Sequence, residues 1–513
     1  MGVRLDRKQH YKNILMNIIA FVVQFVINFY IAPVIVANVG AAAYGFIGLA
    51  NDFVSYISIV ATVFNSVASR FIASEYYKHN YSKANKYFNS LIVTNCIISI
   101  GVGLFCAIFV PNINLFLSIP DELLFDVKLS FMIVFISYIV SLITLVFTTS
   151  TFVTNRTDIQ GIRNVVQYII RFVLIVVCLN FISVRIYWIA FASLIATVFV
   201  AILNVDLTRR LTPELKFKIS EADYKYAFVL AKSGSWMALT SIGTILLRGL
   251  DLTIANLFIG DYEMGLLSIS RTIPNNMTLV ISVLAPIFTP SFISLYVKND
   301  NQSLTNSIRD SIKTMAVLLY VPVTCFIVFS YDFFCLWQKS LSSDEIVLVT
   351  WLAILTIIQA YFNSTTATMA QISVVVNKLK MPVIITFICG VVSIVAELIM
   401  INFFDLGLYS IVISTSVVMI IRYIMFNSIY AAWCLNEKKT VFFIDLIKTW
   451  TSIPVLLGIV YIIKLLFPVL TWKSLIVDLI LSMMIGYAIM LFLYDKKKIF
   501  NLFERIKTKK IKL

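Results

Sequence analysis

The sequence predicts an all-α integral membrane protein of about 14 transmembrane helices: two pseudo-symmetric six-helix lobes and two further helices at the C-terminus. Three observations predict it. The 513 residues are 60% hydrophobic and only 13% charged, whereas a soluble domain needs about 25% charged residues to cover its surface. Apolar runs long enough to cross a bilayer recur from end to end. The first half also matches the second at a fixed offset, as in transporters built from repeats.

The apolar runs place spans at approximately 12–39, 46–69, 88–110, 129–152, 164–182, 187–205, 227–259, 265–297, 314–331, 346–371, 383–401, 408–431, 447–468 and 475–494. An even number puts both termini on one side. That side carries 31 of the 41 Lys and Arg, while the opposite loops hold only Lys128, Arg185, Lys339 and Lys473. The positive-inside rule therefore makes both termini cytoplasmic, and it accounts for the net charge of +15 without nucleic acid. MGVRLDRKQHYKN leads straight into span 1 with no cleavage site, and Asp6 stands where a myristoylation signal needs Ser or Thr. Seven scattered Cys show neither metal-ligand spacing nor a cross-linking pattern.

The expected organisation is an N-lobe over 1–205 (spans 1–6), a cytoplasmic linker over 206–226 and a C-lobe over 227–431 (spans 7–12). The two extra spans occupy 447–494 and a basic tail 495–513. In the tail, Ile499, Leu502, Phe503 and Ile506 share one helical face among lysines. This suits a helix lying on anionic inner-leaflet lipids; a tail that only sets topology is the alternative.

Laid over itself at an offset of 220, the chain aligns Gly40 with Gly260, Gly45 with Gly265, Tyr76 with Tyr296 and Lys78 with Lys298. At 222, Asn155-Arg156 meets Asn377-Lys378. Each repeat holds six spans, so the repeats are parallel and related by an axis along the membrane normal. Polar stripes align as well. Arg271, Asn275, Thr278, Ser282 and Thr289 share one face of span 8, and Asn51, Ser55, Ser58, Thr62 and Ser69 are their partners on span 2. On span 1, Asn13, Asn17, Gln24 and Asn28 face the same way; on span 7 their partners are Ser233, Met237, Thr244 and Arg248. Such residues also serve as ordinary interhelical contacts. Four matched stripes point instead to a hydrated cavity between two lobes.

Six cations fall inside spans: Arg171, Lys232, Arg248, Arg271, Arg422 and Lys464. The acids set against them are Asp52, Asp251 and Glu397. An Arg at mid-bilayer depth costs about 2.5–3.5 kcal/mol on the insertion scale, so it is rarely there without a use. Asp251 lies three residues after Arg248, within reach for an ion pair. Arg271 has no acidic residue at i±3 or i±4 and stands on the polar stripe. Lys232 and Lys464 lie near span ends, where a lysine snorkels. Pro274, Pro286 and Pro290 predict a kinked span 8. Guanidinium pairs bidentately with phosphate, so a phosphate-bearing ligand matches this patch.

LDLTIANLFIGDYEMGLLSISRTIP (250–274) resembles the span 7–8 region of bacterial polysaccharide flippases, with an Asp in span 7, a Gly at the turn, a second Gly before span 8 and a basic residue one turn in. GAAAYGFIGLANDF (40–53) is similar to that family's turn between spans 1 and 2. The resemblance covers essentially the whole chain. It implies the O-antigen and polysaccharide branch of the superfamily that also holds multidrug-and-toxin extruders, with two V-shaped six-helix lobes of MATE-like fold. It also implies an undecaprenyl-diphosphate-linked oligosaccharide as substrate and other polysaccharide assembly proteins as candidate partners. One departure from the drug extruders stands out: span 1 carries no deep acid.

The expected function is therefore a flippase, with Arg248 and Arg271 gripping phosphate. Gln24, Asn28, Asn51, Ser55, Thr244 and Asn275 would bind sugar or water. Asp251 and Glu397 are candidates for H+ or Na+ coupling, and no cofactor is expected. A cation-coupled multidrug exporter is the alternative. An enzyme is disfavoured: every outer loop is short, and both His10 and His79 fall on the predicted cytoplasmic side.

Overall fold

The computed structural model describes residues 7–494; the tail expected at 495–513 lies outside them. Among the described residues every regular element is helical. Thirteen helices are long and apolar enough to span a membrane, and the bent pair Tyr224–Gly249 with Asp251–Phe258 makes 14. Helices outrun their apolar segments. Span 9 runs Asn301–Trp337 rather than 314–331, because hydropathy marks only what lipid touches. Its polar first turns stay helical under Asp300, whose side chain accepts from the Ser303 N–H at 3.0 Å.

The chain divides into two compact units: Met1–Ile269 with Thr386–Val391, and Ser270–Ile385 with Val392–Leu513. Span 7 belongs to the first. It lies so close to span 2 (Ala41–Tyr77) that a Cβ on Gly234 would come 2.0 Å from the Val63 carbonyl oxygen. Close backbone approach through small residues is how helices associate where water is absent. The linker is strapped along span 3 (Tyr81–Phe109): Asn85 donates to the Glu214 carbonyl at 2.8 Å and accepts from the Lys216 N–H at 2.7 Å. Asn89, four residues on, repeats the pattern with the linker advanced by two, meeting the Lys216 carbonyl at 3.0 Å and the Lys218 N–H at 2.8 Å.

In the second unit, spans 9 and 10 (Ser343–Ala370) centre on buried Tyr320 and Tyr361, whose rings meet edge to face at 5.2 Å. Leu456, Val460, Leu475 and Met490 of spans 13 and 14 complete this core. Lys464, expected to snorkel, has partners within the protein. Its ammonium lies 2.6 Å from Asp332 and 3.0 Å from the Val328 carbonyl oxygen, because the end of span 9 supplies both acceptors. Span 14 adds a buried acid to the three set against the in-span cations: Asp478 is 3% exposed.

The repeat is visible in the turns. The Gly40 N–H bonds to the Ile35 carbonyl and the Gly260 N–H to Ala255, the same six-residue closure 220 positions apart. His79 and Asn299, also 220 apart, adopt φ of 58° and 54°. Asn155 and Asn377 adopt 55° and 56°. The two N–H groups that follow the latter pair reach back to Thr151 and Ser373, both at 2.8 Å. Left-handed residues of this kind close helices, and Asn tolerates the conformation better than most residues.

Candidate functional site

Both arginines on spans 7 and 8 stand at breaks in their helices. Span 1 (Arg7–Val39) and span 2 are continuous, but their repeat counterparts are not. Span 7 is α-helical from Tyr224 to Thr244, passes through a π-helical turn at Ile245–Gly249 that contains Arg248, and restarts at Asp251 with a 42° bend. Span 8 breaks twice. Helix Asp261–Ser270 stops at Arg271, resumes as Thr272–Leu284, tightens to a 3-10 turn at Ala285–Phe288 and finishes as Thr289–Val297. The prolines explain this: Pro274 has no N–H for the Ser270 carbonyl, and Pro286 none for Ser282.

A broken helix in lipid must satisfy its freed backbone groups from elsewhere. The Tyr56 hydroxyl on span 2 donates to the Gly249 carbonyl and lies 3.0 Å from Thr253 Oγ1. The Thr386–Val391 segment of span 11 packs closely against span 7 as well. A Cβ on Gly390 would lie 2.6 Å from Leu246 Cβ, and one on Gly243 would lie 2.9 Å from the Phe387 nitrogen. The π turn is thus held by contacts from two other helices.

Arg248 is half-buried and Asp251 buried, both in the first unit; Arg271, in the second unit, is 9% exposed. Asn51, Ser55, Thr244 and Asn275 are exposed, while Gln24 and Asn28 are half-buried. The side chain of Asn17 is not among those described. Several stripe residues donate to their own helix: Asn51 to the Ile47 carbonyl at 2.7 Å, Ser55 to Asn51 at 3.1 Å and Thr244 to Thr240 at 2.9 Å. Their oxygens remain to accept. Glu397, fully buried in the second unit, accepts from Ser393 Oγ at 2.9 Å and Thr415 Oγ1 at 3.0 Å.

The span 2 stripe borders two cavities inside the first unit. One, of about 280 Å3, brings Asn51 together with Arg171 and Gln167 of span 5 (Thr157–Phe181), Tyr138 of span 4 and Ser193 of span 6. The other, of about 310 Å3, has Ser58 and Thr62 in its wall and shares Tyr138 and Ser141 with the first. No carboxylate lines either. Sequence reasoning gave Arg171 no place in a site. The signal was present, because Gln160, Asn164, Gln167 and Arg171 follow i, i+4, i+7, i+11 on span 5, the same spacing that revealed the other stripes.

A model of the polysaccharide biosynthesis protein family matches residues 10–295. The uncharacterized membrane protein EpsK of Bacillus subtilis (strain 168) is 25% identical over 448 residues, 87% of this chain and 88% of that one. Among solved structures, the lipid II flippase MurJ in an inward closed conformation aligns with a TM-score of 0.70 at 15% identity, over 94% of this chain and 100% of that one. An inward-facing multidrug resistance MATE family transporter of the MOP superfamily aligns at 0.68 and 13% identity, over 80% of this chain and 94% of that one. At these identities the structural likeness is one of fold.

Proposed function

Because the chain belongs to the polysaccharide biosynthesis protein family, we propose that it is a flippase for an undecaprenyl-diphosphate-linked oligosaccharide. It would lie in the bacterial inner membrane with both termini cytoplasmic and carry its cargo to the outer leaflet by alternating access through a cationic cavity. The observation that carries this reading is the placement of Arg248 and Arg271 at helix breaks on consecutive spans. A guanidinium there meets a diphosphate with paired N–H···O bonds, and a broken helix is the part of a span that can change shape. The neutral side chains Gln24, Asn28, Asn51, Ser55, Thr244 and Asn275 hydrogen-bond the sugars, while the polyprenyl chain stays in lipid. Asp251 and Glu397 are the coupling candidates for H+ or Na+. No step makes or breaks a covalent bond. The name of the MurJ relative fits this reading.

The drug-exporter reading shares the fold but wants acidic walls for cationic cargo. The two cavities bordered by the span 2 stripe have none in their walls. Reconstituted vesicles holding a fluorescent lipid-linked oligosaccharide test the proposal. The protein should speed leaflet exchange, and Arg248→Glu should abolish it without loss of membrane insertion. Unchanged exchange in a well-folded variant would refute the role of Arg248; absence of exchange with any lipid-linked oligosaccharide, together with export of cationic drugs, would favour the alternative.

A further inference from the structure

Arg171 is used by nothing in the reading above. Its Nε makes no hydrogen bond within the protein, and no carboxylate lines the cavity it borders. Two other groups facing the same 280 Å3 cavity are in the same position: the Tyr138 hydroxyl and Ser130 Oγ also make no hydrogen bond within the protein. All three can donate. Around them stand further hydroxyls and amides, with Gln167 held toward Thr197 Oγ1 at 3.3 Å.

We propose that this cavity, whose lining includes neither Arg248 nor Arg271, is an oxyanion site in the first unit and takes a carboxylate or phosphate group on Arg171. The guanidinium stays charged at any physiological pH. Held at membrane depth with no acid in the cavity wall, it favours an anion that enters from outside. The planar fork selects oxygens arranged in a plane. Tyr138 and Ser130 add neutral donors from span 4 (Asp121–Leu145). Asn51 and Ser141 are exposed and border the same cavity, which supplies an entry. Its 280 Å3 volume falls just short of the range typical of small-molecule pockets, which begins at about 300 Å3, and exceeds what a bare ion needs. The oxyanion therefore comes either free or as the carboxylate of an acidic sugar.

Thermal unfolding of the full chain in lipid nanodiscs tests this, because a ligand that binds only the folded state raises the midpoint with concentration. The measurement is made in an Arg248→Gln, Arg271→Gln background, so that failure here is distinct from failure of the flippase reading. Titration of inorganic phosphate, glucuronate and glucose should give a saturable upward shift with glucuronate and none with glucose. A shift with phosphate as well identifies a general oxyanion site; a shift with glucuronate alone identifies an acidic-sugar site. Adding Arg171→Gln should raise the half-saturating concentration by about tenfold or more, the scale of a lost charge-assisted contact. Tyr138→Phe and Ser130→Ala, which keep the packing, should each weaken binding and serve if the Arg171 variant does not fold. No shift with either anion, or shifts unaltered by these substitutions in folded protein, would overturn the proposal.

Discussion

Arg248 combines a charge that lipid penalises with a π-helical turn, a geometry found mostly as single turns at functional sites. Its value to a phosphate lies in the planar fork as much as in the charge. Arg248→Lys should therefore leave leaflet exchange between that of wild type and that of Arg248→Gln; equal rates for Lys and Arg would show that charge alone suffices. The turn itself leans on Tyr56. Removing that hydroxyl leaves the part-buried Gly249 carbonyl without this donor, a loss of about 1 kcal/mol. Tyr56→Phe should lower the unfolding midpoint and slow exchange together. At this scale the sequence was legible where charge and apolar context met in one segment, as at Arg248 and Arg271. It was not legible at Tyr56, whose partner is 193 residues away.

At the scale of elements, paired turns make the repeat testable. Asn155 and Asn377 occupy equivalent left-handed positions, where a β-branched residue costs about 1–2 kcal/mol and glycine is at ease. Asn155→Val and Asn377→Val should each lower the unfolding midpoint, and Asn377→Gly should not, whereas Asn155→Gly also loses the bond its side chain accepts from Asn13 at 3.3 Å. A second contrast concerns close approach. A Cβ on Gly265 would lie 2.2 Å from the Ala41 carbonyl oxygen, whereas Gly458 has nothing within 4 Å. Gly265→Leu should sharply reduce the yield of folded protein in a membrane extract, and Gly458→Ala should leave it unchanged. Gly45 and Gly265, aligned by the sequence offset, turn out to touch: a Cβ on Gly45 would lie 3.0 Å from the Gly265 Cα. The offset paired these glycines by position, and the fold put them in contact.

For the whole molecule, the two C-terminal spans are bound into the second unit by core side chains and by the Lys464–Asp332 pair, whose side chains are 26% and 17% exposed. Breaking a fully buried pair costs about 3–5 kcal/mol; partial exposure places this one lower. Lys464→Met should reduce thermal stability by about 1–3 kcal/mol on that reasoning, and Lys464→Met with Asp332→Asn should recover part of the loss. A double-mutant cycle on purified protein measures the coupling.

The sequence by itself determined the number of spans, the repeat and the polar faces. Each is a local property: hydropathy over some twenty residues, a fixed offset, or a 3.6-residue period that needs no neighbour. The kink in span 8 was legible for the same reason, since a proline acts on its own helix. Only the tertiary structure decided how the broken span 7 is satisfied, that Lys464 pairs with Asp332, and that Arg171 shares a cavity with side chains from spans 2, 4, 5 and 6. Those outcomes depend on which faces meet across long stretches of chain. Lipid, being as apolar as most of the side chains, leaves that choice to close packing and hydrogen bonds.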